Sequence, residues 1–154
     1  MPTYGYSIIG MDPDRTAVAS GRNLRCSPKQ SREVCKEIRG MMLDKAIDLL
    51  ESVVEEKAWI PYRRHKKKRG HHAGMKGWAP GGHPVKASKN ILKILRNAEA
   101  NADSKGLDID RLKIAHSAAQ RGRTYKKFIE RAFGKSSPYF ENTTHVEIVL
   151  EEVS

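Results

Sequence analysis

The residues best suited to chemistry are cations, histidines and a few aromatic rings, and they fall in two blocks. In the first, between Lys57 and Glu99, no acid interrupts Arg63, Arg64, Lys66, Lys67, Lys68, Arg69, Lys76, Lys86 and Lys89. His65, His71, His72, His83 and Trp78 stand among them, broken up by glycines at 70, 74, 77, 81 and 82 and by Pro61, Pro80 and Pro84. Glycine lets backbone approach a polyanion closely, and a flat ring can stack on a base. The second block is Arg121, Arg123, Lys126, Lys127, Arg131 and Lys135, with Glu130 as its only acid and Tyr125, Phe128 and Phe133 interleaved. Arginine's planar fork donates to phosphate in pairs. Both blocks therefore fit a nucleic-acid backbone, and neither carries a signal for sequence-specific base readout.

Blander and sharper alternatives exist for each block. A charge run is ordinarily a solvated face or a localisation signal, and a loop between strands can simply be solvated. The four histidines raise a zinc site, but zinc ligands come at short paired spacings, often with cysteine. Here Cys26 and Cys35 lie well upstream in no finger pattern, so no metal or other cofactor is expected. Asp108 and Asp110 precede a strand within a polar turn and read as loop formers rather than a carboxylate pair. No nucleophile elbow or phosphate-binding glycine loop accompanies the Ser, His and Asp residues, so the chain is not expected to be an enzyme or to take a small-molecule substrate.

Composition narrows the partner. Twenty-nine Lys and Arg against 18 acids in 154 residues give a formal charge of +11. Self-repulsion at that charge calls for a neutralising polyanion. No apolar run approaches the roughly 18 residues of a spanning helix, so no membrane partner is expected. Met1–Tyr6 has no charged leader before an apolar core and does not read as a secretion signal. Two cysteines make no disulfide framework, and a cytoplasmic setting follows.

The elements that position these blocks read as one α+β domain over 1–154. An arm covers 1–15, with strand and helices one and two over 16–60. The basic loop spans 61–85, helix three and a turn 86–111, and sheet strands 112–151 with an extended hairpin at 121–139. Helix one starts with Ser27 as N-cap, Pro28 at the first position and Gln30 closing a capping box; its stripe is Val34, Cys35, Ile38 and Met42, and Gly40 marks its end. Helix two, capped by Asp44, buries Leu43, Ala46, Ile47, Leu50, Val53 and Val54. The 61–85 loop cannot bury a core and is expected to order only on its ligand. Helix three presents Ile91, Leu92, Leu95, Ala98 and Ala102. Leu112–Gln120 and Thr144–Leu150 alternate as strands with one buried face. If the insert between them pairs with itself about a turn near Phe133–Pro138, roughly 13 residues per side reach about 40 Å. Gly122 and Gly134 then serve a bend and a turn.

Several pieces together resemble the L twenty-two family of large-ribosomal-subunit proteins, in its archaeal or eukaryotic form. They are Ser27-Pro28-Lys29-Gln30-Ser31, Ile38-Arg39-Gly40, Lys45-Ala46-Ile47-Asp48-Leu49-Leu50 and Asn97-Ala98-Glu99-Ala100-Asn101-Ala102. Leu112-Lys113-Ile114, Gly122-Arg123 and Thr144–Leu150 complete the set. The similarity spans roughly residues 16–151 in the family's order, and the Arg63–Gly82 loop departs from the shorter bacterial pattern. The resemblance implies a small antiparallel three-stranded sheet packed on three helices, with a long protruding hairpin and a long basic loop. It implies 23S rRNA and neighbouring large-subunit proteins as partners, and transient contact with nascent polypeptide. The body would sit near the tunnel exit while the hairpin lines the polypeptide exit tunnel, its tip being Phe128, Ile129, Glu130, Arg131, Ala132, Phe133, Gly134 and Lys135. Residues expected at rRNA are Arg22, Arg25, Lys29, Arg63, Arg64, Lys66–Arg69, His71, His72, Lys76 and Trp78. The hairpin adds Arg121, Arg123, Tyr125, Lys126, Lys127, Arg131 and Lys135. The residues alone leave open a non-ribosomal RNA- or DNA-binding regulator and a small metal-dependent enzyme using the histidine-rich loop.

Overall fold

The sheet is assembled around the strand that comes last in the chain. The computed structural model describes residues 5–75 and 77–153. In it β1 (Thr16–Leu24) and β4 (Leu112–Tyr125) both pair antiparallel with β7 (Glu141–Glu152), giving the order β1-β7-β4. Val146, Ile148 and Leu150 of β7 alternate into the core, at 1% exposure or less. They face Ala17 and Ala19 of β1 and Ile114 of β4 across the register. The sheet is small, antiparallel and three-stranded, and three helices cover one side of it: α1 (Pro28–Ile38), α2 (Leu43–Val54) and α3 (Val85–Ser104). The fold is α+β.

Small residues on β1 explain how close α3 comes. Ala17, Ala19 and Gly21 occupy the inward positions, and a Cβ built on Gly21 would meet the Ile94 side chain at 2.6 Å. Ile91, Ile94, Leu95, Ala98 and Ala102 of α3 are buried; Ile94 joins the expected stripe, while Leu92 is only partly buried against the core. On β4 a register shift between Ile114 and His116 swaps the inward parity. Leu112 and Ile114 point in before it, and Ser117 and Ala119 pair with the inward Ile148 and Val146 after it. The free edge of β4 is held at Ile114, whose carbonyl accepts from Gly40 and whose N–H donates to Met41.

Three expectations about element ends are corrected. Ser27 is the N-cap of α1 but makes no side-chain cap bond, so the expected capping box is absent. Met42 is not part of the α1 stripe; it is the N-cap of α2, and Asp44 lies inside the first turn, where its charge favours the helix dipole. The hairpin turns at Ala132–Gly134 instead of near Phe133–Pro138, because Phe133 and Gly134 both take positive φ and Arg131 N–H reaches Lys135 O at 2.8 Å. Of the expected arm, residues 1–4 lie outside the described residues. Its remainder is tied down: Glu147, 3% exposed on the sheet face away from the helices, accepts from Ser7 through both backbone and hydroxyl. Burial alone would push that carboxyl up, but the bonds from Ser7 and His116 hold it below the ordinary carboxylate range.

Candidate nucleic-acid interface

The basic loop carries its own scaffold. Ile60–Pro61 (β2) pairs with Gly81–Gly82 (β3) and closes it at the base. Glu33, whose side chain is fully buried, accepts from the backbone N–H groups of Arg63, Arg64 and His65 at 2.9, 3.2 and 3.1 Å. Burial would raise that carboxyl, and the three N–H bonds bring it below its ordinary value. Trp59 stacks on His72 at 3.9 Å and meets His83 at 3.8 Å with the rings tilted by 34°. His83 Nδ1 lies 2.6 Å from Ala58 O, and His72 Nε2 lies 3.2 Å from Gly81 O. The loop, expected to order only on its ligand, carries internal bonds of its own. The physical reason is that its backbone polar groups, rather than apolar side chains, supply the contacts.

Those bonds turn the charges outward. Arg63, Arg64, Lys66, Lys67 and Lys68 are exposed. Trp78 donates its indole N–H to Tyr62 O at 3.1 Å, and Arg63 and Lys66 lie over its ring at 5.4 and 5.8 Å. Arg69 lies 4.3 Å above the buried Tyr62 ring. Together with Ser27 and Lys29 at the start of α1, Tyr62, Arg64, His65, Lys67, Lys68 and Arg69 line an open cavity of about 540 Å³ without a carboxylate among them. His71 is exposed and bridges to Pro80. Lys76 lies outside the described residues. Among the described residues no three His, Cys, Asp or Glu side chains gather as a metal site. Cys26 and Cys35 are buried free thiols, and burial pushes Cys35 up to about 12.

The hairpin is the body's sheet prolonged. The β4–β7 ladder continues through Arg121, Thr124 and Tyr125, and β5 (Phe128–Glu130) with β6 (Ser136–Pro138) carries the pairing to the tip. Gly122 keeps negative φ and stands where the ladder is irregular, a place that also demands close approach. At the Arg121/Thr124 register shift, its Cβ would fall 2.5 Å from Thr143 Oγ1. Phe133 at the tip is 97% exposed, and Phe128 meets Phe140 edge-on at 5.8 Å. At the foot, Glu141 accepts from Arg25 at 2.6 and 3.0 Å and from Lys127 at 3.0 Å. Those hydrogen bonds and charges lower Glu141 to about 2. Arg25 and Lys127, far apart in sequence, are brought together there, while Arg123 lies 5.7 Å over Tyr125 and Arg131 bonds Ser137 at 3.3 Å. Arg22 sits beyond Gly21 at the β1 register shift.

Glu33, Tyr62 and Glu141 are the functional neighbours that sequence reasoning missed. Glu33 lies off the Val34–Cys35–Ile38 stripe, because the loop buries it and not the core. Glu141 had a signal, as the first acid after a run of cations.

One family spans the body and both basic extensions. The model for "Ribosomal protein L22p/L17e" matches residues 19–151. The chain belongs to that family. It is 48% identical over 144 residues to "Large ribosomal subunit protein uL22" of Methanocaldococcus jannaschii, covering 94% of this chain and 92% of the relative. Proteins of the same name from Methanopyrus kandleri (49%, covering 92% and 90%) and Archaeoglobus fulgidus (44%, covering 98% and 97%) match over nearly the whole length. The chain is of the archaeal type of this ribosomal family, which is structural and not enzymatic.

Proposed function

We propose that this protein is a structural part of the large ribosomal subunit, at work in the cytoplasm. It binds 23S rRNA through the 61–85 loop and the 121–139 hairpin, and packs against neighbouring ribosomal proteins. The observation that carries this reading is the pairing of two exposed cationic extensions with one folded body that holds each at its base. Phosphate contacts are the chemistry such surfaces offer: arginine forks, lysine point charges and backbone brought close at glycine. No bond is made or broken.

In this reading the body braces several rRNA segments during assembly and sits near the tunnel exit. The ribbon carries Phe128–Lys135 into the wall of the exit tunnel, where exposed Phe133 and the cations of Arg131 and Lys135 meet the nascent chain in passing. The test is filter binding of the full chain to 23S rRNA across a salt series, followed by a density map of large subunits containing it. A steep fall of affinity with salt, with density for the ribbon along the tunnel wall, is the expected result. A flat salt response, or subunits that take up no protein, would end the reading.

A further inference from the structure

Both cationic extensions suit a phosphate backbone, but the ground between hairpin and body has a different chemistry. Where the hairpin leaves the body, an open cavity of about 350 Å³ lies among the segment after β1, the start of α1, the first turn of α3 and the start of β7. Its walls include Arg25, Gln30, Lys86, Phe140, Glu141 and Asn142, gathered from four parts of the chain. Sites for small organic ligands begin at roughly 300 Å³, so one flat heterocycle has room.

Each wall contributes something a base can use. Phe140 is 47% exposed, and Phe128 braces it edge-on, so a large apolar ring stands in water held by another ring. Every base can stack on such a ring. Asn142 Oδ1 accepts from Thr124 Oγ1 at 2.8 Å, which orients the amide and leaves its NH2 group as a donor. With no capping box at the start of α1, the Gln30 amide can also donate. Glu141 accepts from Arg25 and Lys127 and has lone pairs to spare. A carboxylate in the wall works against a phosphate as occupant and in favour of an exocyclic amino group. Arg25 and Lys86 are exposed, as contacts to flanking phosphates require.

We infer that this cavity takes one unpaired cytosine of the RNA. The base stacks on Phe140 and its amino group donates to Glu141. The NH2 groups of Asn142 and Gln30 donate to the ring nitrogen and carbonyl on the same edge, and Arg25 and Lys86 hold the phosphates on either side. Uracil would turn a carbonyl toward Glu141 in place of the amino group. The inference rests on the nucleic-acid reading above and deepens it from backbone contact to base readout, through Gln30, Phe140 and Asn142, which lie outside both cationic runs.

The test titrates the full chain with two single-stranded probes, a short oligocytidine and an oligouridine of equal length, and follows the side-chain amide resonances of Gln30 and Asn142. Oligocytidine should shift both saturably, at roughly tenfold lower concentration than oligouridine. Phe140 is no part of the core cluster, so Phe140→Ala should fold like the parent. That variant should weaken oligocytidine at those amides roughly tenfold, and Phe140→Trp should restore it. Glu141→Gln can turn either an oxygen or an NH2 group to the base and should erase most of the preference. Unmoved amides, Phe140→Ala binding like the parent, or equal midpoints for the two oligomers would each overturn the pocket. Steep salt dependence of 23S rRNA binding surviving beside any of these spares the broader reading; a flat response of the parent chain to salt removes that reading instead.

Discussion

The loop and the hairpin present the same kind of charge but are held in opposite ways. The loop is fixed through its backbone: Glu33 gathers three N–H groups and β2 pairs with β3, leaving the side chains to other contacts, with Arg63 and Lys66 over Trp78. The hairpin is fixed by cross-strand pairing, and at its foot it spends two cations, Arg25 and Lys127, on Glu141. One buried acid orders a cationic segment without neutralising any side chain in it. One half-buried acid orders another by occupying two. Charge on a sequence is therefore a poor guide to charge on offer, since the counterion's position decides the difference.

The comparison breaks most sharply at Glu33. Glu33→Ala leaves three backbone donors without their acceptor and should cost about 2–4 kcal/mol. Hydrogen exchange should show protection lost over residues 62–82 while the β4–β7 ladder keeps its own; equal loss in both would deny that the regions are held separately. Because its folded pKa is lowered, the Glu33 contribution is present above the ordinary carboxylate pKa and disappears as pH falls through the lowered value. An acid titration followed by Trp59 and Trp78 fluorescence reads that window directly.

A smaller effect is expected at the pinch. Gly122→Val places a branched side chain against Thr143 and should cost about 1–3 kcal/mol. Loss of cross-strand nuclear Overhauser contacts beyond Arg121, with the core ladder intact, is the expected signature. Smaller still is Glu141→Gln. That acid is only half-buried and Arg25 is exposed, so the unfolding midpoint should barely move, although the foot loosens. The parent ion pairs are complete above pH 4.5 and lost as pH falls through about 2. Chemical shifts of Arg25 Nε and Lys127 Nζ across that interval check the sign. Smallest is removal of Lys126–Tyr139 behind a short turn: the core stripes lie elsewhere, and a cooperative thermal transition should survive. A chain that fails to fold without those residues would mean that the hairpin stabilises the body.

The sequence made the body legible wherever burial is periodic. Val34, Cys35 and Ile38, then Leu43, Ala46, Leu50 and Val53, repeat at helical spacing, and Val146, Ile148 and Leu150 alternate. What stayed hidden depends on contacts distant in sequence. Nothing local says that Ser27 fails to cap α1, that Phe133 takes positive φ, or that Glu33 meets Arg63 thirty residues on. The loop's order was missed for the same reason: it comes from polar bonds and stacked rings around Trp59, which leave no hydropathy pattern. The candidate site was half readable, its cations in their runs and its organising acids elsewhere.

The strand order β1-β7-β4 also has a consequence for biosynthesis. The middle strand follows both of its neighbours in the chain, so β1 and β4 cannot be joined in one sheet until residues 141–152 have emerged. Everything from β1 to the hairpin, cationic segments included, must therefore emerge before the three-stranded sheet can close.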